Sequence, residues 1–181
     1  MLASGRFARE HAKRTGRSLE RTPRIEGWGH RNGSLRFLDK VERSRGEEYV
    51  FPHVRQAITE AWGRAGISGL DAIDAIETHD CFTSTEYMAI DHFGLTAPGQ
   101  SWKAVEDGHI ALGGKLPVNP SGGLIGGGHP VGATGARMLL DACKQVTGQA
   151  GAYQVDGAKR VATLNIGGSL GTVVCFIVTA Q

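Results

Sequence analysis

No apolar run in this 181-residue chain is long enough to cross a bilayer, and Arg6, Arg9 and Glu10 interrupt the amino terminus before any leader-like stretch. Membrane insertion and a secretory leader are therefore not expected. Cysteine is scarce as well: Cys81, Cys143 and Cys175 lie far apart, with no CxxC or metal-ligand spacing, which excludes a disulfide framework. A reducing intracellular compartment, the cytoplasm, is the simpler expectation. Net charge is small at +2 and no basic stripe is interleaved with aromatic residues, so a nucleic-acid partner is not expected. His11, His30, His53, His92 and His109 show no paired spacing that specifies a metal, and none is expected. Internal repeats and low-complexity tracts are missing too.

What is present suits one packed domain, with 40% hydrophobic and 21% charged residues. The basic residues are unevenly placed: residues 1–50 carry twelve Lys and Arg against seven Asp and Glu, and the remainder eight against eleven. A solvated basic surface accounts for that skew, and a face that helps to hold an anionic ligand is the alternative. Glycine is abundant, with 27 copies, about twice the usual share. It clusters at Gly122-Gly123, Gly126-Gly127-Gly128 and Gly167-Gly168, where either tight turns or close passage of backbone past a ligand explains it.

The spacing predicts a short helix over residues 6–14, stopped by Gly16, and a short strand from Arg24 to Trp28. Residues 29–50 read as a charged, irregular connection with a small element around Leu35 to Leu38. Pro52 opens a clearer helix, with Val54, Ala57, Ile58, Ala61 and Ala65 on one face and Gly66 at its end. Ile73 to Ile76 reads as a strand that delivers residues 77–82 at its end. Thr83 and Glu86 have capping-box spacing, so a helix starts directly after Phe82 and stops at Gly94. Another helix is predicted from about Ala133 to Val146. Arg160 to Asn165 and Thr172 to Thr179 then form a hairpin, and the whole reads as an α/β layer with mixed strand directions.

Three clusters carry candidate chemistry. His79 and Cys81 place an imidazole and a thiol beside a helix start, on one face if the strand persists; a buried structural thiol and histidine are the alternative. Asp80 points the other way and reads as a solvated group or local turn acceptor. In the run from Asn119 to Gly135, Gly127 and Gly128 let the backbone approach a ligand and His129 is held between glycine and proline; a tight structural crossover is the alternative. At Asn165-Ile166-Gly167-Gly168 the backbone amides can position a ligand, although a turn alone accounts for the glycines. Cys143 and Cys175 read as core residues.

His79-Asp80-Cys81-Phe82, Asn119-Pro120-Ser121-Gly122-Gly123, Gly128-His129-Pro130-Val131-Gly132-Ala133-Thr134-Gly135 and Asn165-Ile166-Gly167-Gly168, in this order, resemble motifs of the thiolase superfamily, in its sterol-carrier-protein-type branch. The resemblance is strong from about residue 50 onward. It implies an α/β thiolase-like carboxyl-terminal half with a mixed β-sheet, flanking helices and a terminal β-hairpin. Residues 1–50 would be a partial loop region leading into a domain of residues 51–181.

The resemblance also implies roles. His129 matches the histidine that activates the nucleophilic cysteine of the amino-terminal half, His79 the branch-specific oxyanion-pocket histidine, and Cys81 the branch's acid/base cysteine. Asn165-Ile166-Gly167 stands where other thiolases carry a Cys-x-Gly motif. No cofactor would be held permanently; coenzyme A or acyl-CoA would be the substrate, with Gly127, Gly128, Gly167 and Gly168 as binding candidates. The implied activity is reversible thiolysis of 3-ketoacyl-CoA or Claisen condensation, with an amino-terminal half or complementary subunit as partner and a homo-oligomer at full length. A noncatalytic acyl-CoA-binding or assembly module, or a component of a related carbon–carbon lyase, are the alternatives, because none of the three cysteines lies in the nucleophile's motif.

Overall fold

The structure, a computed structural model, describes residues 2–20 and 22–180. In chain order its elements are α1 (Gly5–Thr15), β1 (Pro23–Asn32), α2 (Phe37–Ser44), α3 (Pro52–Ala65), β2 (Ala75–Thr78), α4 (Thr83–Phe93), α5 (Ser101–Glu106), α6 (Gly123–Gly127), α7 (Thr134–Thr147), β3 (Arg160–Gly167) and β4 (Thr172–Ala180). The strands form one mixed sheet in the order β1-β4-β3-β2. β3 and β4 make the terminal antiparallel hairpin, with Leu164 opposite Cys175. β1 pairs antiparallel with β4, and β2 runs parallel to β3 with Ile76 opposite Ala162.

Alternation along β3 sets up two cores, because successive side chains point to opposite faces. Ala162 and Leu164 join Val173, Cys175 and Ile177 in packing against Ala57, Ile58, Ala61 and Trp62 of α3 and against Phe93 of α4. Val161 and Val178 turn to the other face, where Ala142 and Val146 of α7 cover them. The sheet therefore lies between two helical layers, and α7, which follows the His129 loop, covers one face alone among these helices. Among the described residues, no helix is long and apolar enough to cross a membrane.

The predicted helices over residues 6–14, 52–65 and 133–146 correspond to α1, α3 and α7. Residues 29–50 differ from the expected irregular connection. β1 continues to Asn32 because β4 offers it an edge: His30, Arg31 and Asn32 pair with Val174, Val173 and Thr172 whatever their own strand preference. α2 escapes a core-based reading because its apolar Phe37, Leu38 and Val41 are exposed, while Lys40 is buried. The start of α4 also differs in its cap. Phe82 is the capping position, Thr85 Oγ1 donates to the Phe82 carbonyl at 2.6 Å, and Glu86 turns instead toward Asn119.

β1 contains Gly27 and Gly29 where α3 crosses it. A Cβ at Gly29 would sit 1.8 Å from the Ala57 carbonyl oxygen, and one at Gly27 would sit 2.1 Å from that of Ala61. Backbone atoms cannot swing aside as a side-chain tip can, so α3 rests on β1 only because both side chains are missing. Gly29→Ala is therefore expected to lower the unfolding free energy by about 1–3 kcal/mol or more. The urea midpoint reads this directly, and an unchanged midpoint would show that α3 shifts away from β1 at no cost.

Candidate functional site

β2 ends at Thr78, yet the His79 amide still donates to the Leu164 carbonyl at 3.0 Å, so the strand direction carries one residue further. That places His79 at the carboxyl end of the parallel pair, where α/β sheets present their ligands. The imidazole is 8% exposed, and its Nδ1 has no hydrogen-bond partner among the described residues. Burial holds its pKa below the ordinary value, proximity to His129 acts in the same sense, and Asp80 partly opposes both.

His129 arrives from the glycine-rich loop and meets His79 edge to face, with ring centroids 4.9 Å apart at an interplanar angle of 88°. Its Nδ1 lies 2.7 Å from Thr134 Oγ1, and that hydroxyl is 3.1 Å from the Pro130 carbonyl. A hydroxyl has one proton to give; directed to the carbonyl, it leaves oxygen lone pairs to accept Nδ1–H, and Nε2 becomes the basic nitrogen of His129. Of the three predicted catalytic side chains, the structure thus joins His79 and His129 in direct contact. Cys81 is a free, half-buried thiol two residues after His79, a backbone span of about 7 Å at most.

Asp80 departs from the sequence reading. Rather than being solvated or serving a local turn, it is buried, and its Oδ1 accepts from the Leu124 amide at 2.6 Å, 44 residues away. Pairing with the loop that becomes α6 draws it inward. The glycine candidates separate as well. Gly127 closes α6 and Gly128 leads to His129 with φ of 88°, both exposed beside the histidine pair. Gly167 and Gly168 enter the β3–β4 turn, in which Ser169 and Leu170 also adopt positive φ. The Lys40 ammonium at 2.5 Å and His53 Nε2 at 3.0 Å hold the carbonyls of Ser169 and Leu170. Turn geometry explains Gly168, at φ of 52°, without a ligand, whereas a Cβ at Gly167 would sit 2.9 Å from Thr172 Cγ2.

Cys143, Cys175 and His92 have structural surroundings. Burial raises the thiol pKa of both Cys143 and Cys175, so neither is a ready thiolate. His92 is buried between Asp91 and the Phe51 amide. Among the described residues, no group of three or more His, Cys, Asp or Glu is placed to hold a metal ion.

Sequence reasoning overlooked Glu77, which is fully buried in β2. Its carboxylate accepts from the Ser121 hydroxyl at 2.7 Å and from the Ser121 amide at 3.2 Å. Asn119, strained at φ of 52°, accepts from the Thr78 amide through Oδ1 at 2.7 Å. The available signal for Glu77 was a carboxylate directly after the apolar pair Ala75-Ile76. For Asn119 the signal was an asparagine ahead of proline and glycines, a residue type that tolerates positive φ.

Comparison with known proteins bears on this arrangement. The family described as "Thiolase C-terminal domain-like" matches residues 37–180. Sterol carrier protein 2 of Bos taurus is 43% identical over 117 residues, which is 65% of this chain and 21% of that protein. An acetyl-CoA acetyltransferase of Methanothermobacter thermautotrophicus is 44% identical over 105 residues, covering 58% of this chain and 27% of that one. Among solved structures, an Ltp2-ChsH2(DUF35) aldolase superposes with a TM-score of 0.71 at 21% identity, covering 87% of this chain and 39% of that chain. The chain spans between about a fifth and two fifths of the length of these proteins.

Glu77 gives the site a measurable pH signature. Burial pushes its carboxyl from 4.5 up to about 7; the Ser121 bonds and Arg137 pull it back, and Asp141 adds to the rise. Between those two values the folded chain keeps a proton that the unfolded chain has released, so stability falls as pH rises through the window. The loss amounts to about 3 kcal/mol at most. Glu77→Gln lacks it, so urea unfolding from about pH 5 to pH 8 should show the variant gaining on the wild type. Parallel pH curves for the two proteins would show that Glu77 ionises as an ordinary carboxyl.

Proposed function

We propose, for a chain that belongs to the thiolase superfamily as a carboxyl-terminal portion of its sterol-carrier-protein-type branch, that it contributes the acid/base and oxyanion half of an acyl-CoA site. The observation that carries this reading is the edge-to-face contact of His79 and His129, at the end of β2 and two residues from the free thiol of Cys81. Coenzyme A or acyl-CoA is the substrate rather than a resident cofactor.

In this proposal the nucleophilic thiol comes from an amino-terminal half. His129 Nε2 takes its proton, and the thiolate attacks the keto carbonyl of a 3-ketoacyl-CoA. His79, held neutral by burial, donates an N–H to the oxygen as charge develops there. Carbon–carbon cleavage leaves the acyl group on the partner's sulfur and an acyl-CoA enolate, which Cys81 protonates. Cys81 then recovers a proton from incoming coenzyme A, whose sulfur takes the shortened acyl group as the partner's thiolate leaves and regains its proton from His129. In the condensing direction Cys81 removes the α-proton instead.

Exposed apolar side chains support a missing partner. Phe82 and Val131, neighbours of Cys81 and of the His129 loop, are 70% and 82% exposed, and Leu140 stands out from α7. In a chain that spans so little of its relatives' length, these surfaces are where an amino-terminal half would pack. At full length, assembly as a homo-oligomer would follow.

The test is coenzyme A-dependent cleavage of a 3-ketoacyl-CoA by the chain alone, by the chain with an amino-terminal thiolase half, and by that pair carrying Cys81→Ala. The chain alone should be inactive, the pair active, and the variant pair slower by about 10²-fold or more with assembly retained. Turnover by the isolated chain through an acyl adduct on Cys81 would overturn this division of labour. Saturable acyl-CoA binding without turnover in any mixture would favour a noncatalytic binding module.

A further inference from the structure

The segment that leads into His79 and the loop that leads into His129 are joined by an ordered series of hydrogen bonds. Ile76 and Val118 form a parallel bridge, and the Asn119 amide donates to the Ile76 carbonyl at 2.7 Å. At Asn119 the backbone leaves the strand direction with φ of 52°, and backbone pairing stops. Side chains continue it. Asn119 Oδ1 accepts from the Thr78 amide, Glu77 Oε1 from the Ser121 amide, and Asp80 Oδ1 from the Leu124 amide.

The last two bonds share a register. Glu77 and Ser121 are 44 residues apart, and so are Asp80 and Leu124. Two carboxylates three positions apart thus grip two amides three positions apart, one on each side of His79 in the sequence. Both carboxylates are shielded from water, Glu77 at 0% exposed and Asp80 at 4%. Their oxygens engage the loop rather than a substrate, which sets them apart from a general base. Gly123 makes the second grip possible, since a Cβ there would lie 2.2 Å from Asp80 Oδ2 and the residue already sits at φ of 62°.

We propose that Glu77 and Asp80 are positioning residues that clamp the 121–124 segment to the end of β2 and thereby hold His129 against His79. Its catalytic relevance rests on the thiolase-type reading given above, but the clamp itself is a property of the chain. Ser121 is in turn backed by Arg137, whose Nη1 lies 3.3 Å from its hydroxyl and 2.9 Å from Asp141 Oδ2, so the grip of Glu77 is anchored to α7 as well. His129 follows Leu124 by five residues along a short helix and a glycine-rich bend. Of these bonds the two grips lie nearest to His129 along the chain, beyond the Asn119 contacts that tie residues 76–78.

The experiment uses the 181-residue chain, with Glu77→Ala, Asp80→Ala, Glu77→Gln and Asp80→Asn, read by the nuclear Overhauser contact between the two imidazoles and by amide exchange at Ser121 and Leu124. Each alanine variant should lose the ring contact and speed exchange at its partner amide by about tenfold or more. Gln and Asn keep an acceptor oxygen and should restore both readouts. Gly123→Ala, which leaves both carboxylates in place but intrudes on Asp80, should loosen His129 in the same way and serves if an alanine variant fails to fold. Retention of the ring contact and of amide protection in the folded alanine variants, or in Gly123→Ala, would overturn the proposal even if thermal stability fell. In a paired enzyme, Asp80→Ala should lower kcat by up to about 10²-fold with little change in KM. Failure of the pair to turn over with an intact ring contact would sink the thiolase-type reading and leave the clamp standing.

Discussion

Two chain segments 44 residues apart in sequence meet through the hydrogen bonds that tie residues 76–80 to residues 119–124, and the geometry of the site depends on that meeting. A glycine-rich loop has high conformational entropy when free, and its carbonyls and amides need partners when buried. Here buried carboxylates supply the partners. The arrangement costs desolvation of two acidic groups, and the surrounding network offsets it: Arg137 reaches Ser121 and Asp141, while Tyr153 and Lys144 donate to the other Asp141 oxygen at 3.0 and 3.2 Å. These bonds tie the loop to α7, which makes it part of the fold rather than an appendage.

The same burial distinguishes the two imidazoles. His79 sits in an environment that disfavours the imidazolium, so a neutral donor stands at the end of β2 near neutral pH. His129 is exposed and fixed on one side by Thr134, which leaves its outward nitrogen as the one open to a partner. One imidazole is enclosed, the other open, and the two are in contact. That difference comes from where each is attached: His79 directly follows β2 and still bonds to β3 through its amide, while His129 sits on an exposed bend.

The two faces of the molecule are not equivalent. α3 is pressed onto β1 closely enough to require Gly27 and Gly29, and that side forms a continuous core with α4. The α7 side is thinner, and Leu140 and Val131 are left exposed on it. Val131 lies two residues after His129 and Phe82 three after His79, so exposed apolar groups flank the two histidines in the chain.

Local pattern was enough for much of this. Pro52 and Gly66 bound α3, the apolar spacing in α7 and the closing β-hairpin need no distant partner to be recognised, and the ordered motifs around His79, Cys81, His129 and Asn165 carry the family. What sequence alone left open was whatever depends on a long-range neighbour. The extension of β1 to Asn32 follows from the free edge of β4, and α6 forms in a glycine-rich segment whose Leu124 amide finds Asp80. The inward turn of Asp80 and the near-neutral carboxyl of Glu77 have the same origin. Periodicity reports which side of an element is apolar, but the partner of a hydrogen bond 44 residues away, and the loss of water that shifts a titration, exist only once the chain has closed on itself.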